Sequence, residues 1–210
     1  MPFAEKLKSA LSGELPGWLA HSEMMNYPRP RPANVEHLFP NARQSAVLVL
    51  LYPKNGKVHI VLTLRHSYKG VHSGQVSFPG GSAEPGDINL WETALREARE
   101  EIGIESEAVE RLGRLSTVYI PPSNFLVRPY VAAVHHTPKF EREPGEVARI
   151  IETPIKVLTL PETIKEKPMY LKVTESEVNV RYFDIDGETV WGATGMMLNE
   201  LVHILKKQEL

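Results

Sequence analysis

Two apolar runs joined by a short polar turn constrain this chain more than any other feature. Ser45 to Pro53 reads SAVLVLLYP, Val58 to Arg65 reads VHIVLTLR, and Lys54-Asn55-Gly56-Lys57 lies between them. Asn-Gly accepts the positive φ angles of a tight turn, so the pair reads as a β-hairpin. The first run has no polar face and reads as a buried strand. A fold for this chain must therefore be built around a sheet, and the remaining segments must cover it.

Those segments sort by periodicity. Phe3, Ala4, Leu7, Ala10 and Leu11 have helical spacing, ended by Ser12-Gly13. Asn26 to Pro40, NYPRPRPANVEHLFP, has too many prolines for regular structure and reads as an extended arm over the core. Gly74 to Gly81 reads as a short strand entering a glycine-rich bend. Leu90 to Ile102 reads as a helix stopped by Gly103. Arg114 to Ile120, Leu126 to Val134 and Glu146 to Ile151 read as strands, with PPSNF joining the first two, and Pro154 to Leu158 as a short helix. Met169–Val173 and Val178–Phe183 read as a second hairpin around ESE, and Thr194 to Lys206 as a C-terminal helix with Thr194 as its cap. Several strands with one helix early, one late and few βαβ alternations give an α+β layered domain. The expected division is residues 1–42 as an N-terminal helix and Pro-rich arm packed on the core, and 43–210 as the main domain.

Composition narrows the function classes. With 42% hydrophobic and 24% charged residues over 210, the chain can bury a core without staples. The net charge of -2 is spread along the chain, which disfavours a nucleic-acid or anionic-membrane partner. Cysteine is absent, so disulfides, thiolate nucleophiles and Cys-based metal sites are excluded. There is no signal-peptide pattern and no membrane-spanning apolar run. The expectation is a soluble, cytoplasmic protein.

Arg96 to Ile104, REAREEIGI, is the stretch that carries chemistry. On the helix from Leu90, the residues Trp91, Ala94, Leu95, Ala98 and Ile102 share one side and would pack on the sheet. Glu97, Glu100 and Glu101 share another, where they repel one another. Arg96 reaches Glu100 one turn on but cannot neutralise all three. Taken alone, such a cluster fits a solvated helix face; equally, a divalent cation would offset the repulsion, since Mg²⁺ prefers carboxylate oxygens and takes its remaining ligands from water and phosphate. Gly80 and Gly81 would let the backbone turn sharply beside the helix, and Asp87 would cap its N-terminus.

With its upstream flank, this stretch resembles the Nudix box: glycine, five residues, Glu, seven residues, then Arg-Glu-apolar-x-Glu-Glu-x-Gly-apolar. Gly81, Arg96, Glu97, Ala98, Glu100, Glu101, Gly103 and Ile104 fall on that pattern, while Asp87 replaces the usual Glu and the spacer to Arg96 is one residue longer. Both departures are features associated with the coenzyme A diphosphatase branch. The preceding segment, LTLRHSYKGVHSGQVSFPGG, resembles the extra signature of that branch through Leu62, Thr63, Arg65, Gly74, Phe78, Pro79, Gly80 and Gly81. His66 stands where a small residue is usual and Gly70 where Arg is frequent, with Lys69 next door to supply the charge.

The resemblance implies a Nudix fold, an α/β/α sandwich with a central mixed sheet. It implies hydrolysis of the diphosphate linkage of coenzyme A or a derivative to 3′,5′-ADP and a 4′-phosphopantetheine. Glu97, Glu100 and Glu101 would hold Mg²⁺ or Mn²⁺, and Arg96 would orient a metal-binding glutamate. Arg65 and Lys69, with the backbone at Gly80 and Gly81, would meet the substrate. The base for the attacking water would be Glu143 or Glu146, with Glu146 the choice carried forward. His135-His136 cannot serve one ion, because adjacent strand residues point to opposite faces. Two alternatives stay open: another nucleoside diphosphate derivative such as ADP-ribose or NADH as substrate, and a non-catalytic ligand-binding module, against which the intact acids argue. A homodimer is compatible with the resemblance, although the sequence marks no interface.

Overall fold

A computed structural model describes residues 2–26, 39–66, 74–171 and 174–210. The expected hairpin is its centre. Strands β1 (Arg43–Lys54) and β2 (Lys57–Arg65) pair antiparallel, with Lys54 opposite Lys57 and the turn made by Asn55 and Gly56 at φ 51° and 72°. Alternate β1 residues bury on opposite faces. Ala46, Leu48, Leu50 and Tyr52 join one apolar cluster, and Val47, Val49 and Leu51 join another. That double burial accounts for the unbroken apolar run.

Each cluster is closed by a helix. Helix α3 (Leu90–Ile102) covers the first with Ala94, Ala98 and Ile102. Helix α5 (Gly192–Lys207) covers the second with Met197, Leu201 and Leu205. Sheet between two helical layers is the expected α/β/α arrangement. The sheet is mixed: β1 runs parallel to β7 (Phe125–Ala133), while β5 (Glu110–Arg114), β6 (Val118–Ile120) and β8 (Val147–Pro154) join it antiparallel. A three-stranded sheet of β9 (Ile164–Leu171), β10 (Ser176–Ile185) and β11 (Glu188–Val190) follows the short helix α4 (Ile155–Leu158).

One irregularity positions the site. The far half of β1 pairs with β2, but its first half pairs with β4 (Gly80–Ser82), and β3 (Val76–Ser77) pairs with the end of β2. The bend 76–82 is thus wedged between the two hairpin strands, with Leu48 N–H donating to the Pro79 carbonyl at 2.8 Å. A bulge between Leu64 and Arg65 in the pairing with β8 turns the end of β2 at the same place.

Several expectations need correction. Arg114 to Ile120 is not one strand: it breaks between β5 and β6, where the Ser116 N–H and hydroxyl turn to the Glu200 carboxylate at 3.0 and 2.6 Å. Thr194 does not cap α5; it lies inside the helix and donates to the Val76 carbonyl at 3.0 Å. A second N-terminal helix, α2 (Trp18–Ser22), follows α1 (Pro2–Leu11). Most of the Pro-rich arm, Lys69, Gly70 and the end of the Met169–Val173 run lie outside the described residues. Among the described residues, no helix is long and apolar enough to cross a membrane.

Candidate active site

Helix α3 starts as its sequence dictates, but with a different cap from the one expected. The Asn89 side chain accepts from the Trp91 and Glu92 N–H groups at 2.9 and 3.2 Å. Gly103, at φ 70°, closes the other end in the left-handed conformation. Asp87, two residues before the cap, serves Arg96 instead. Its oxygens accept from Arg96 Nε at 3.0 Å and Nη2 at 3.1 Å, and also from the Thr93 hydroxyl and the Glu84 N–H. The bidentate Arg96 contact holds its carboxyl far below the usual carboxylate range.

Arg96 is the hub of the cluster. Beyond Asp87, its Nη2 donates to the Ser82 carbonyl at 3.0 Å, and its Nη1 reaches Glu97 at 3.0 Å and Glu100 at 3.1 Å. With every arm of the fork engaged, it ties the loop before the helix to the acids on it and fixes the Glu97 rotamer.

The three glutamates meet different environments. Glu101 is 1% exposed, and its carboxylate accepts from the Gly80 N–H at 3.2 Å and from Arg65 Nη1 at 3.3 Å. Burial pushes its carboxyl up to about 7; Arg65 and the Gly80 N–H oppose that rise, and the charges of Glu97 and Glu146 add to it. The Glu97 carboxyl is also raised, first by burial, with Glu100 and Glu146 adding and Arg96 opposing. Glu100 faces outward, its side chain 53% exposed. The single stripe seen in the sequence is therefore graded around the helix, from buried Glu101 through Glu97 to exposed Glu100. Among the described residues, no three His, Asp or Glu side chains are gathered as a finished metal cage.

Both glycines work for these acids. A Cβ on Gly81 would fall on the Glu97 carboxylate, and one on Gly80 would strike the Ala46 carbonyl and the Val47 backbone. The Gly80 N–H, expected to face substrate, is taken by Glu101. Arg65 approaches from the end of β2, and its Nε is buried with no hydrogen-bond partner among the described residues. Glu143 and Glu146 separate clearly. The Glu143 carboxylate closes its own turn by accepting from the Gly145 N–H at 3.1 Å. Glu146 is exposed, yet its charge is felt by both Glu97 and Glu101. Asn89 was legible as a cap from its place before the apolar period. The role of Asp87 was not, since nine residues separate it from Arg96 in the chain.

The residues present fit a divalent cation. Glu97 and Glu101, both raised first by burial, make an all-oxygen pair, and with Glu100 and Glu146 the acids outnumber Arg65 and Arg96 four to two. Such a set can bind a hard cation and present it to phosphate oxygens.

Comparison with known proteins agrees. Residues 42–173 match the NUDIX domain. A Nudix hydrolase NudL of Photorhabdus laumondii is 33% identical over 173 residues, spanning 81% of this chain and 89% of the relative. Its counterpart in Yersinia enterocolitica is 34% identical over 164 residues, 77% of this chain and 80% of the relative. A crystal structure of a MutT/nudix family protein from Enterococcus faecalis is 13% identical, covers 99% of this chain and 74% of that one, and superposes with a TM-score of 0.49. On the match across most of the chain, and with the acids of the box seated as described, this protein belongs to the Nudix hydrolase family.

Proposed function

We propose that this Nudix hydrolase cleaves the diphosphate linkage of coenzyme A or a close derivative, yielding 3′,5′-ADP and a 4′-phosphopantetheine. The observation that carries the reading is the segment before the box. Its LTLR and FPGG ends, which resemble the coenzyme A diphosphatase signature, come together around Glu101: Arg65 donates to one carboxylate oxygen and Gly80 to the other.

Glu97 and Glu101 would hold the Mg²⁺ or Mn²⁺, with Glu100 at the exposed edge of the same set. When bound, the cation polarises a phosphoryl oxygen and lowers the pKa of a coordinated water. Glu146, exposed and facing the two buried acids, takes the proton of the attacking water. Arg65, whose side chain is partly exposed, uses its guanidinium to meet a phosphate oxygen. Arg96 touches no substrate and keeps Glu97 in place.

Turnover of coenzyme A, ADP-ribose and NADH at matched concentration with Mg²⁺ or Mn²⁺, with products identified by mass, tests the substrate. Coenzyme A should turn over at least about tenfold faster, a difference of about 1.4 kcal/mol in barrier. A preference for either of the others would move the assignment to that substrate. Glu97→Gln should lose at least about 100-fold in kcat with unchanged circular dichroism; full activity in that variant would refute the metal assignment.

A further inference from the structure

A second polar cleft lies away from the acids of α3. It has a volume of about 600 Å³ and is walled by the residue after α2, by β9 and β10, and by the C-terminal half of α5. We propose that it binds a small organic oxyanion, a phosphate or carboxylate carried on a short apolar body. The inference does not depend on the substrate assigned to the catalytic site.

The hydrogen-bond donors left free in the cleft lead to this class. Its cations are Lys165, Arg181 and Lys206, against the acids Glu23 and Glu166. Both acids are already engaged. One Glu23 oxygen accepts from Asn199 at 2.9 Å and His203 at 3.0 Å, and Glu166 accepts from Asn179 at 2.8 Å. Lys165 is paired with Asp184 at 2.6 Å. The other two cations keep donors to spare. Arg181 spends Nη1 on the Glu23 backbone carbonyl at 3.1 Å and makes no ion pair among the described residues, and Lys206 has no side-chain partner there. A guanidinium fork with free donors and a free ammonium lining the same cleft can together take an oxyanion.

The rest of the lining sets the body of the ligand. Ile164, Val202 and Pro161 supply apolar surface beside the two cations. The volume lies within the range of small-molecule sites. The segments that wall the cleft are far from Glu97 and Glu101 in the fold, so its occupant need not be the substrate. Helix α5 joins the two regions, because Thr194 near its start bonds to β3 beside the catalytic bend.

Calorimetric titration of the full chain with hexyl phosphate, and separately with inorganic phosphate, tests the proposal. Hexyl phosphate should bind with a Kd below about 1 mM and at least about tenfold more tightly than phosphate, since the apolar body adds to the anion contact. Arg181→Gln/Lys206→Gln should weaken it at least about tenfold while leaving diphosphate turnover unchanged. Lys206→Gln alone, a change at an exposed side chain, should weaken it partially and guards against a misfolded double variant. Glu97→Gln should bind it as the parent does. No heat of binding up to about 10 mM, equal affinity in the parent and both cleft variants, or loss of binding in Glu97→Gln would each overturn the assignment.

Discussion

Gly80 and Gly81 are neighbours in sequence, yet the structure gives them separate duties, and substitution should separate them. A methyl group at Gly80 would meet the backbone of Ala46 and Val47 in β1, which cannot withdraw without breaking the strand. Gly80→Ala should therefore destabilise the fold by about 1–3 kcal/mol, read as a fall in urea midpoint. A methyl group at Gly81 would meet the end of a flexible side chain, the Glu97 carboxylate. Gly81→Ala should leave the midpoint within about 0.5 kcal/mol of the parent. Its cost should appear as weaker metal activation, because Glu97 must leave its place. If instead both variants lose the same stability, Glu97 is more tightly confined than its contacts with Arg96 indicate. Arg96→Ala should likewise weaken metal activation, with metal affinity lower by about 10–100-fold, as expected when a residue that orients a proposed metal ligand is removed. At this scale the sequence was legible for the acids and glycines, whose spacing carries the pattern. It was silent on Asp87 as the anchor of Arg96, because that contact depends on how the loop 82–89 folds back.

At the scale of elements, helices α2 and α5 and the break between β5 and β6 meet at one buried carboxylate. Glu200 is fully buried on α5 and accepts from His21 at 2.9 Å, from the Ser116 hydroxyl and N–H, and from the Gly17 N–H at 3.1 Å. Burial would raise its carboxyl, but His21 and Ser116 outweigh that and bring it below its ordinary 4.5. A depressed folded pKa contributes stability that is present above pH 4.5 and is lost as pH falls through the folded value. His21 is the titratable group facing it. Glu200→Gln would turn an amide donor toward groups that already donate, at a cost of about 3 kcal/mol near neutral pH. The gap between parent and variant should narrow below pH 4.5, as followed by thermal unfolding across pH. A gap constant from pH 7 down to the acid limit would contradict the charged assignment. The helical period of α5 was plain in its apolar residues, whereas a glutamate inside that stripe looks like a solvated position. Nothing local marks it as the partner of Gly17, His21 and Ser116. For the same reason, the strand expected from Arg114 to Ile120 could not be seen to break at Ser116.

For the whole molecule, the N-terminal residues belong to the core although the proposed catalytic residues all follow them. Helix α1 buries Ala4, Leu7 and Leu11, and Leu11 packs so closely on β5 that a Cβ at Gly113 would overlap it. In α2 the Ala20 carbonyl, and just past it the Glu23 carboxylate, accept from Asn199, which is buried on α5, and Asn26 accepts from the Arg181 N–H. Removing residues 1–26 would bare one edge of the second apolar cluster and take two donors from Glu200. Each fully buried leucine alone accounts for about 1.5–3 kcal/mol of transfer free energy, and a charge left without its partners adds to the loss. Against a total stability of about 5–15 kcal/mol, the shortened chain should lack a cooperative melting transition, even though Arg65, Arg96, Glu97, Glu101 and Glu146 all remain in it. A shortened chain that melts cooperatively within about 5 °C of the parent and keeps its turnover would show that residues 2–26 only dress a self-sufficient domain. The hairpin, the box helix and the C-terminal helix were legible because each repeats its own period over many residues. The role of the first 26 residues was not, because it resides in pairings between chain ends that lie far apart in sequence, as with Asn199 and Ala20.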